Sequence, residues 1–274
     1  METKRLAKDY NGFYLFLSLD LVNSTLYKTK DPDWSELFIK IYGDTVEIVK
    51  QLIPTITLWK TLGDELLFYI KIDSQKQLVD VFNKIYLIAQ KGNKYLTKLS
   101  PPNIKTKLAY KTTVWSGMVN STLGKDRSKW KYLNLILPGL VSKDTLDFIG
   151  PDIDTGFRIA KAAFRNIVVV DAKLASILNK IMPQFNSKAR IVYFEQFKGV
   201  WDNRHYPIVW YSDDWQKLPN TFNYEDKFNS RIVMWIESEN ISKFRNVSDL
   251  ERIFKELGKA TEVLAIQKQL KITK

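Results

Sequence analysis

The sequence predicts an α+β fold in which a mainly antiparallel sheet is covered by helices. Short apolar runs rich in aromatic and β-branched residues, which are typical of strands, alternate with longer stretches of helical periodicity. The first six elements follow the order β-α-β-β-α-β, which is that of the ferredoxin-like βαββαβ unit. Hydrophobic residues make up 45% of the 274 residues and charged residues 26%, as in an ordinary globular protein.

Each element follows from a local pattern. Strands are predicted where apolar runs are short, over residues 12–20, 55–60, 66–72, 105–119, 131–137, 166–172, 189–199 and 206–214. Helices are predicted where apolar residues recur every three to four positions, over residues 34–53, 74–90 and 173–182. Residues 21–33 are predicted as a polar loop, and residues 147–163 as a loop that enters a helix.

The pattern changes after residue 214. Residues 215–230 are polar, residues 231–238 favour a short strand, and residues 248–271 favour one or two amphipathic helices. We therefore expect a core domain over residues 8–214 and a C-terminal accessory extension over residues 215–274.

Two scarcities limit the possible chemistry. The chain has no cysteine, which excludes disulfides, thiolate zinc sites and cysteine nucleophiles. Its one histidine, His205, lies in a predicted turn, so serine–histidine catalysis and multi-histidine metal sites are nearly excluded. An enzyme of this composition would depend on carboxylates, lysines and arginines.

The chain carries a formal net charge of +12, and its pI is near 9.5. Such a surplus favours anionic partners such as nucleic acid, an anionic membrane or phosphorylated small molecules, although a solvated lysine-rich surface explains it equally well. No apolar run approaches the roughly 18 residues of a membrane span, and the N-terminus lacks a signal-peptide pattern. We expect a cytoplasmic protein without a membrane partner.

Two carboxylates occupy positions that suit metal binding. Asp20 ends the first predicted strand, and Asp64 lies at the tip of the next predicted hairpin, directly after Gly63. Carboxylates at neighbouring strand ends are oxygen ligands of the kind that Mg²⁺ and Mn²⁺ prefer. Two such ions would suit phosphoryl transfer, and the turn glycine would let the backbone approach a phosphate. The alternative is a pair of ordinary turn acids.

Four motifs in order carry a family resemblance. The first is an acid at the end of strand one followed by a Ser/Thr loop, here residues 16–25 around Asp20. The second is a hairpin with lysine, three residues and then the acid, here Lys60 to Asp64, and the two acids are 44 residues apart. The third and fourth are the set Asp147, Asp154 and Arg158 and the pair Lys198-Gly199.

On these motifs the sequence resembles a class III nucleotidyl cyclase over residues 13–211, and the resemblance implies the class III cyclase fold. It also implies that two divalent ions, Mg²⁺ or Mn²⁺, bind to one subunit. The implied metal residues are Asp20, Leu21 and Asp64. The implied substrate contacts beside them are Gly63, Ser24 and Thr25.

The resemblance further implies a homodimer with two shared active sites. Lys60 and Asp147 would contact the base from the partner subunit. Arg158 would stabilise charge on the transferring phosphate and Lys198 would hold the triphosphate, since a pentavalent phosphate with a pyrophosphate leaving group needs cations around it. Asp154 stands where the family usually has an amide, and an acid there would serve only by orienting Arg158 or the ribose.

The variant at residue 154, the Gly-Asp-Glu hairpin and the C-terminal extension resemble the pyrimidine cyclases of bacterial Pycsar anti-phage systems, which make cyclic UMP or cyclic CMP. UTP is favoured because Lys60 could donate to O4 of uracil, and CTP is possible. Bulky neighbours such as Trp59 or Tyr42 could exclude a purine. Taken alone, however, Lys60 and Asp147 resemble an adenine-reading pair, so an adenylate cyclase that uses ATP is the alternative. The product would act on a cyclic-nucleotide-responsive effector.

Two further functional hypotheses compete with the nucleotidyl cyclase. Diguanylate cyclases and polymerase palms also carry acids on a hairpin, but they lack the Asp147, Asp154, Arg158 set and Lys198. A non-catalytic nucleic-acid-binding protein would need a basic stripe with interleaved aromatics, and the nearest candidate, residues 125–132, is short. We therefore expect no stable nucleic-acid partner.

Overall fold

The computed structural model describes residues 10–100, 107–121, 134–138, 146–213, 215 and 246–272. The chain forms two compact units, the first ending at Val168 and the second beginning at Val169. The predicted boundary between residues 214 and 215 stays a prediction, because it lies beside residues outside the described ranges.

The first unit is built on an antiparallel sheet in the order β2-β3-β1-β4. Its strands are β1 (Gly12–Val22), β2 (Thr57–Leu62), β3 (Glu65–Ile72), β4 (Ala109–Asn120), β5 (Asn134–Pro138) and β6 (Leu146–Ile149). Its helices are α1 (Ser24–Lys30), α2 (Trp34–Leu52), α3 (Gln75–Leu99) and α4 (Pro151–Ile159). Strand β5 runs parallel to the end of β4 and antiparallel to β6. The predicted α+β class is confirmed.

The two faces of this sheet have different partners. Successive residues of β1 point to opposite faces, so Leu19 and Leu21 lie on one face and Ser18 and Asp20 on the other. Tyr110 pairs with Leu21 in register, and its hydroxyl hydrogen-bonds to Thr45 of α2 at 2.7 Å. Helix α2 therefore covers the leucine face together with α3, whose Gly92 also lies beside Tyr110. Helix α4 lies on the face that carries Asp20, because its Gly156 lies against Trp115, the partner of Phe16.

The element predictions differ from the structure at several places in this unit. Residues 21–33 contain α1, which begins after Asn23 turns the chain with a left-handed φ of 68° and which buries Tyr27 completely. Strand β1 also continues two residues beyond Asp20, to Val22. Residues 146–149 form strand β6, where a loop was expected, because they pair with β5.

Helix α3 runs to Leu99, nine residues past its predicted end at residue 90. Gly92 and Asn93 there would ordinarily weaken a helix. In this fold the ring of Tyr110 lies 3.1 Å from where a β-carbon on Gly92 would stand. The Asn93 side-chain oxygen accepts a hydrogen bond from the Tyr110 amide at 2.6 Å. Contacts to β4 thus keep the helix intact.

Strand β7 (Val168–Val170) spans the boundary, since its first residue ends the first unit and its other two residues begin the second. The second unit continues through α5 (Ala172–Ile181), α6 (Phe185–Lys188), β8 (Ala189–Gln196), β9 (His205–Tyr211), α7 (Leu250–Glu256) and α8 (Ala260–Gln269). Strands β8 and β9 form an antiparallel hairpin. Helices α7 and α8 pack on α5, so residues 248–271 form two helices, within the predicted one or two. The strand predicted over residues 231–238 lies outside the described residues.

His205 is buried in this unit, and burial lowers its pKa from 6.5 to about 4. It is therefore neutral at pH 7, in keeping with a structural role. Among the described helices, none combines the length and the apolar character that crossing a bilayer would require.

Helix α4 approaches β4 through Gly156. A β-carbon at this position would lie 2.3 Å from the indole of Trp115, which is itself buried. We expect Gly156→Ala to destabilise the protein by about 1–3 kcal/mol, because overpacking forces the helix or the ring to shift. Chemical denaturation measures the effect.

The matched control is Gly43→Ala in α2, where nothing lies within 4 Å of an added β-carbon. This change should raise stability by about 0.5–1 kcal/mol through helix propensity. Equal effects of the two substitutions would contradict close packing of α4 at Gly156.

Candidate active site

The predicted acids Asp20 and Asp64 meet at one end of the sheet. Asp20 lies on β1 opposite Glu65 of β3, and Asp64 occupies the two-residue turn between β2 and β3. Gly63 precedes it with φ +64°, a conformation that few other residues adopt. The Leu21 amide donates to the Asp64 carbonyl oxygen at 3.3 Å, which ties the hairpin tip to β1.

The electrostatics of this end are unfavourable without a cation. Burial raises the pKa of Asp20, the Asp64 carboxylate raises it further, and Lys111 partly opposes both. The Lys111 ammonium lies 4.0 Å from an Asp20 carboxylate oxygen and is partly exposed. The two aspartates therefore lie close enough to repel each other, and the charge of Lys111 offsets this repulsion only in part.

Glu65 adds a third carboxylate that was not among the predicted site residues. The Ser18 hydroxyl donates to Glu65 Oε1 at 2.5 Å. Burial raises the pKa of Glu65, while this hydrogen bond works in the opposite direction. The signal was available in principle, because Glu65 directly follows Asp64 and strand register sets it beside Asp20. Lys111 was also missed, since its place opposite Asp20 depends on the pairing of β1 with β4.

The predicted substrate residues of the first loop fall at the start of α1. The Ser24 hydroxyl, which is buried, donates a hydrogen bond to an Asp64 carboxylate oxygen. Thr25 is exposed. Ser24 thus orients Asp64 in this structure.

The donor set at this end fits divalent metal ions. Asp20, Asp64 and Glu65 do not converge on one point, since among the described residues no group of three or more acidic or histidine side chains is arranged to hold a metal ion. Mg²⁺, however, commonly takes only one or two carboxylates and completes its shell with waters and substrate phosphates. The mutual repulsion of Asp20 and Asp64 is the feature that a divalent ion would relieve.

A second cluster joins the residues predicted to read the base. The Lys60 ammonium lies 2.8 Å from Asp147 Oδ1, and the Trp59 indole nitrogen donates to the same oxygen at 3.0 Å. The Phe148 amide adds a third donor at 2.9 Å. Burial alone would raise the pKa of Asp147, but the hydrogen bond from Lys60, followed by those from the other donors, brings it below the usual value.

Trp59 is a buried residue that contacts both Lys60 and Asp147. It is 8% exposed, and its ring packs against Phe16 and Phe148. The Lys60 ammonium lies over the same ring, 4.3 Å from its centroid. Tyr42, the other bulky residue considered in the sequence, lies instead near Asp64 and Asp20, and burial together with those charges raises its pKa to about 12.

Helix α4 carries Asp154 and Arg158. Its start is fixed by a reciprocal pair, in which the Asn134 amide donates to Asp152 Oδ2 at 2.7 Å and the Asp152 backbone amide donates to Asn134 Oδ1 at 2.9 Å. Asp154 is exposed and Arg158 is half-buried. Within the described part of the chain, Arg158 forms no ion pair, with Asp154 or with any other acid.

Lys198 belongs to the second unit. It is exposed in the turn that follows β8, next to Gly199 with φ +80°. The Gly199 amide donates to Asn203 Oδ1 at 2.7 Å, which closes this turn.

No protein-family model and no curated protein matches the sequence. Solved structures do match. The adenylyl cyclase CyaB from P. aeruginosa aligns with a TM-score of 0.55 at 13% identity, over 76% of this chain and 96% of that chain. The catalytic core of a rhodopsin-guanylyl cyclase with converted specificity, in complex with ATPαS, aligns with a TM-score of 0.52 at 12% identity, over 74% and 96% of the two chains.

The guanylate cyclase domain of RhGC from Catenaria anguillulae, in complex with GTP, aligns with a TM-score of 0.50 at 14% identity, over 74% and 97%. These alignments cover nearly the whole of each cyclase domain. At this level of identity they establish the fold. The chain therefore has the fold of the class III adenylyl and guanylyl cyclase domains.

Proposed function

We propose that the protein is a metal-dependent nucleotidyl cyclase that converts a pyrimidine nucleoside triphosphate, preferably UTP, into a 3′,5′-cyclic nucleotide and pyrophosphate. The observation that carries this proposal is the Asp20–Asp64 pair at one end of the sheet of a cyclase fold. Two partly buried, mutually repelling carboxylates have no evident packing purpose. They suit the binding of divalent cations, which would in turn bind a triphosphate.

The reaction joins the ribose 3′-oxygen to the α-phosphorus and breaks the bond from that phosphorus to the oxygen bridging to the β-phosphate. The 3′-hydroxyl proton is lost to solvent, and pyrophosphate leaves in line. Asp20 and Asp64 would hold two Mg²⁺ or Mn²⁺ ions, with Leu21 beside them. When bound, these ions supply compensation of phosphate charge and a lowered pKa of the 3′-hydroxyl.

Arg158 would balance the charge that develops on the α-phosphoryl oxygens, and Lys198 would hold the β- and γ-phosphates. A homodimer with two shared sites would bring these cations to the acids. Asp154, one helical turn before Arg158, would orient that arginine or the ribose.

The base would be read by Lys60 and Asp147. Three donors converge on Asp147 Oδ1, so Oδ2 is the oxygen left to accept from a base. Uracil offers an N3–H donor beside the O4 acceptor, which matches Oδ2 and the Lys60 ammonium. The Trp59 ring lies directly beside this pair, and a bulky ring at that position would favour the smaller pyrimidine. CTP is a possible second substrate.

The alternative is an adenylate cyclase that makes cyclic AMP from ATP. The same lysine–aspartate pair can serve adenine N1 and the adenine amino group. One of the similar structures is an adenylyl cyclase, and another holds ATPαS. This is the specific support for the second candidate.

The test is incubation of the purified protein with UTP, CTP, ATP and GTP separately, each with Mn²⁺, followed by chromatography and mass spectrometry of the product. We expect cyclic UMP as the main product and cyclic CMP at a lower rate. A product from ATP alone would replace the pyrimidine proposal by the alternative. No product from any triphosphate, together with salt-dependent binding to nucleic acid, would favour a binding protein.

The proposed cellular role follows from the resemblance to the Pycsar cyclases. The cyclic nucleotide would be a second messenger in anti-phage defence and would act on a cyclic-nucleotide-responsive effector. A cytoplasmic location would suit this role.

A further inference from the structure

A pocket in the second unit involves none of the residues predicted for catalysis. It lies among α5, α7 and α8 and has a volume of about 670 Å³, within the range of small-molecule sites. Its apolar lining includes Phe254, Ala260, Val263 and Leu264. Leu264 is 48% exposed, so an apolar side chain is presented to solvent on the pocket wall.

One polar group in the lining lacks a partner. The Ser176 side chain is 2% exposed, and its hydroxyl makes no hydrogen bond within the described part of the chain. An unsatisfied buried hydroxyl is unfavourable and calls for an explanation. Gln267, also buried, lines the same pocket. A bound molecule with a polar atom at this depth would satisfy Ser176.

The charges around the pocket are mainly positive. Lys180 forms an ion pair with Glu251, and Arg252 forms one with Glu256, with 2.9 Å between Nε and Oε1. Lys255 also lines the pocket, and it forms no ion pair with a described residue. A ligand with an anionic head would therefore find a compensating charge at Lys255.

The turn that carries Lys198, residues 197–204, contacts α7 and the short segment between α7 and α8. The ring of Phe254 lies 5.3 Å from that of Trp201, centroid to centroid. The Arg204 guanidinium donates to the Leu257 carbonyl oxygen at 3.1 Å. The Lys259 ammonium lies 3.6 Å from an Asp202 carboxylate oxygen.

The same turn is conformationally strained. Trp201, Asp202 and Asn203 have consecutive left-handed φ angles of 49°, 57° and 61°, which non-glycine residues rarely adopt and which surrounding contacts must hold in place. A molecule that fixes α7 and α8 would hold this turn more firmly.

We propose that this pocket binds a small soluble amphipathic anion, with an apolar body against Phe254 and Val263 and its head near Lys255, and that occupancy stiffens residues 197–204. Only the catalytic importance of those residues rests on the proposed cyclase function. Binding and stiffening can be measured without a nucleotide, so their failure is distinguishable from failure of the cyclase proposal.

The binding test is a fluorescence titration of the full chain with 11-(dansylamino)undecanoate below its micelle concentration. Ala260→Trp fills the pocket and Lys255→Glu reverses the charge beside it. We expect each to raise the Kd about tenfold, which corresponds to about 1.4 kcal/mol. The control Lys268→Glu, on the same helix as Ala260 but outside the lining, should stay within about twofold of wild type by the same measure.

Leu264→Ser, at an exposed position, provides a second lining variant whose folding is easily checked by circular dichroism, and it should also weaken binding. Absence of saturable binding by the wild type would overturn the site, and so would binding by Ala260→Trp and Leu264→Ser as tight as that of the wild type.

Hydrogen–deuterium exchange tests the proposed stiffening of residues 197–204. Amides of residues 197–204 should exchange more slowly with the probe bound, and unchanged exchange would overturn the stiffening.

Discussion

Asp64→Asn is expected to lower the rate of cyclic nucleotide formation by about a thousandfold or more, because it removes one of two charged ligands for the proposed ions and several kcal/mol of charge stabilisation with it. The fold should not suffer. The asparagine oxygen can still accept from Ser24. Burial is the larger cause of the raised pKa of Asp20, and loss of the Asp64 charge removes the repulsion that adds to it. The melting temperature should therefore be equal to or above that of the wild type.

The measurement pairs steady-state rates with Mn²⁺ binding followed by electron paramagnetic resonance, which reads the site without turnover. The matched control is Asp80→Asn on α3, where the carboxylate forms an exposed ion pair with Lys84 at 2.8 Å. It should leave both rate and Mn²⁺ binding unchanged. Near-normal activity or Mn²⁺ affinity in Asp64→Asn would remove Asp64 from the proposed site.

The acid pair was predictable because it depends on short-range rules. A strand alternates its side chains between two faces, and a glycine at a hairpin tip fixes where the next residue stands. Those rules place Asp20 and Asp64 at one end of neighbouring strands. The same rules do not say which strand pairs on the other side of β1, so Lys111 opposite Asp20 could not be anticipated.

The errors arise where tertiary contacts override local propensity. Gly92 and Asn93 look like helix breakers, yet Tyr110 of β4 uses both of them and the helix continues. Residues 146–149 look like a loop because only their pairing with β5 makes them a strand. That pairing also delivers Asp147 to Lys60 and Trp59. The cluster proposed to read the base therefore depends on a long-range pairing that no local pattern encodes.

Arg158 supplies the second large expected effect, which concerns how the site is assembled. Its side chain forms no ion pair with the described residues of its own chain, so no described acid neutralises the charge that the proposed mechanism assigns to the phosphate. In the proposed homodimer, this phosphate would be bound by the acids of the partner subunit. When it is assayed alone, Arg158→Ala should form cyclic nucleotide at least about a hundredfold more slowly than the wild type, because stabilisation of transition-state charge is lost.

A mixture of inactive Asp64→Ala and Arg158→Ala proteins should then regain activity. If subunits exchange freely, half of the dimers are hybrids, and each hybrid has one site with both lesions and one with neither, so about a quarter of wild-type activity is expected. Dimers are verified by analytical ultracentrifugation, and a covalently linked wild-type dimer calibrates the maximum. Mixed dimers that remain inactive would mean that Asp64 and Arg158 act within one chain, because each of the two sites of a hybrid would then carry one of the two lesions.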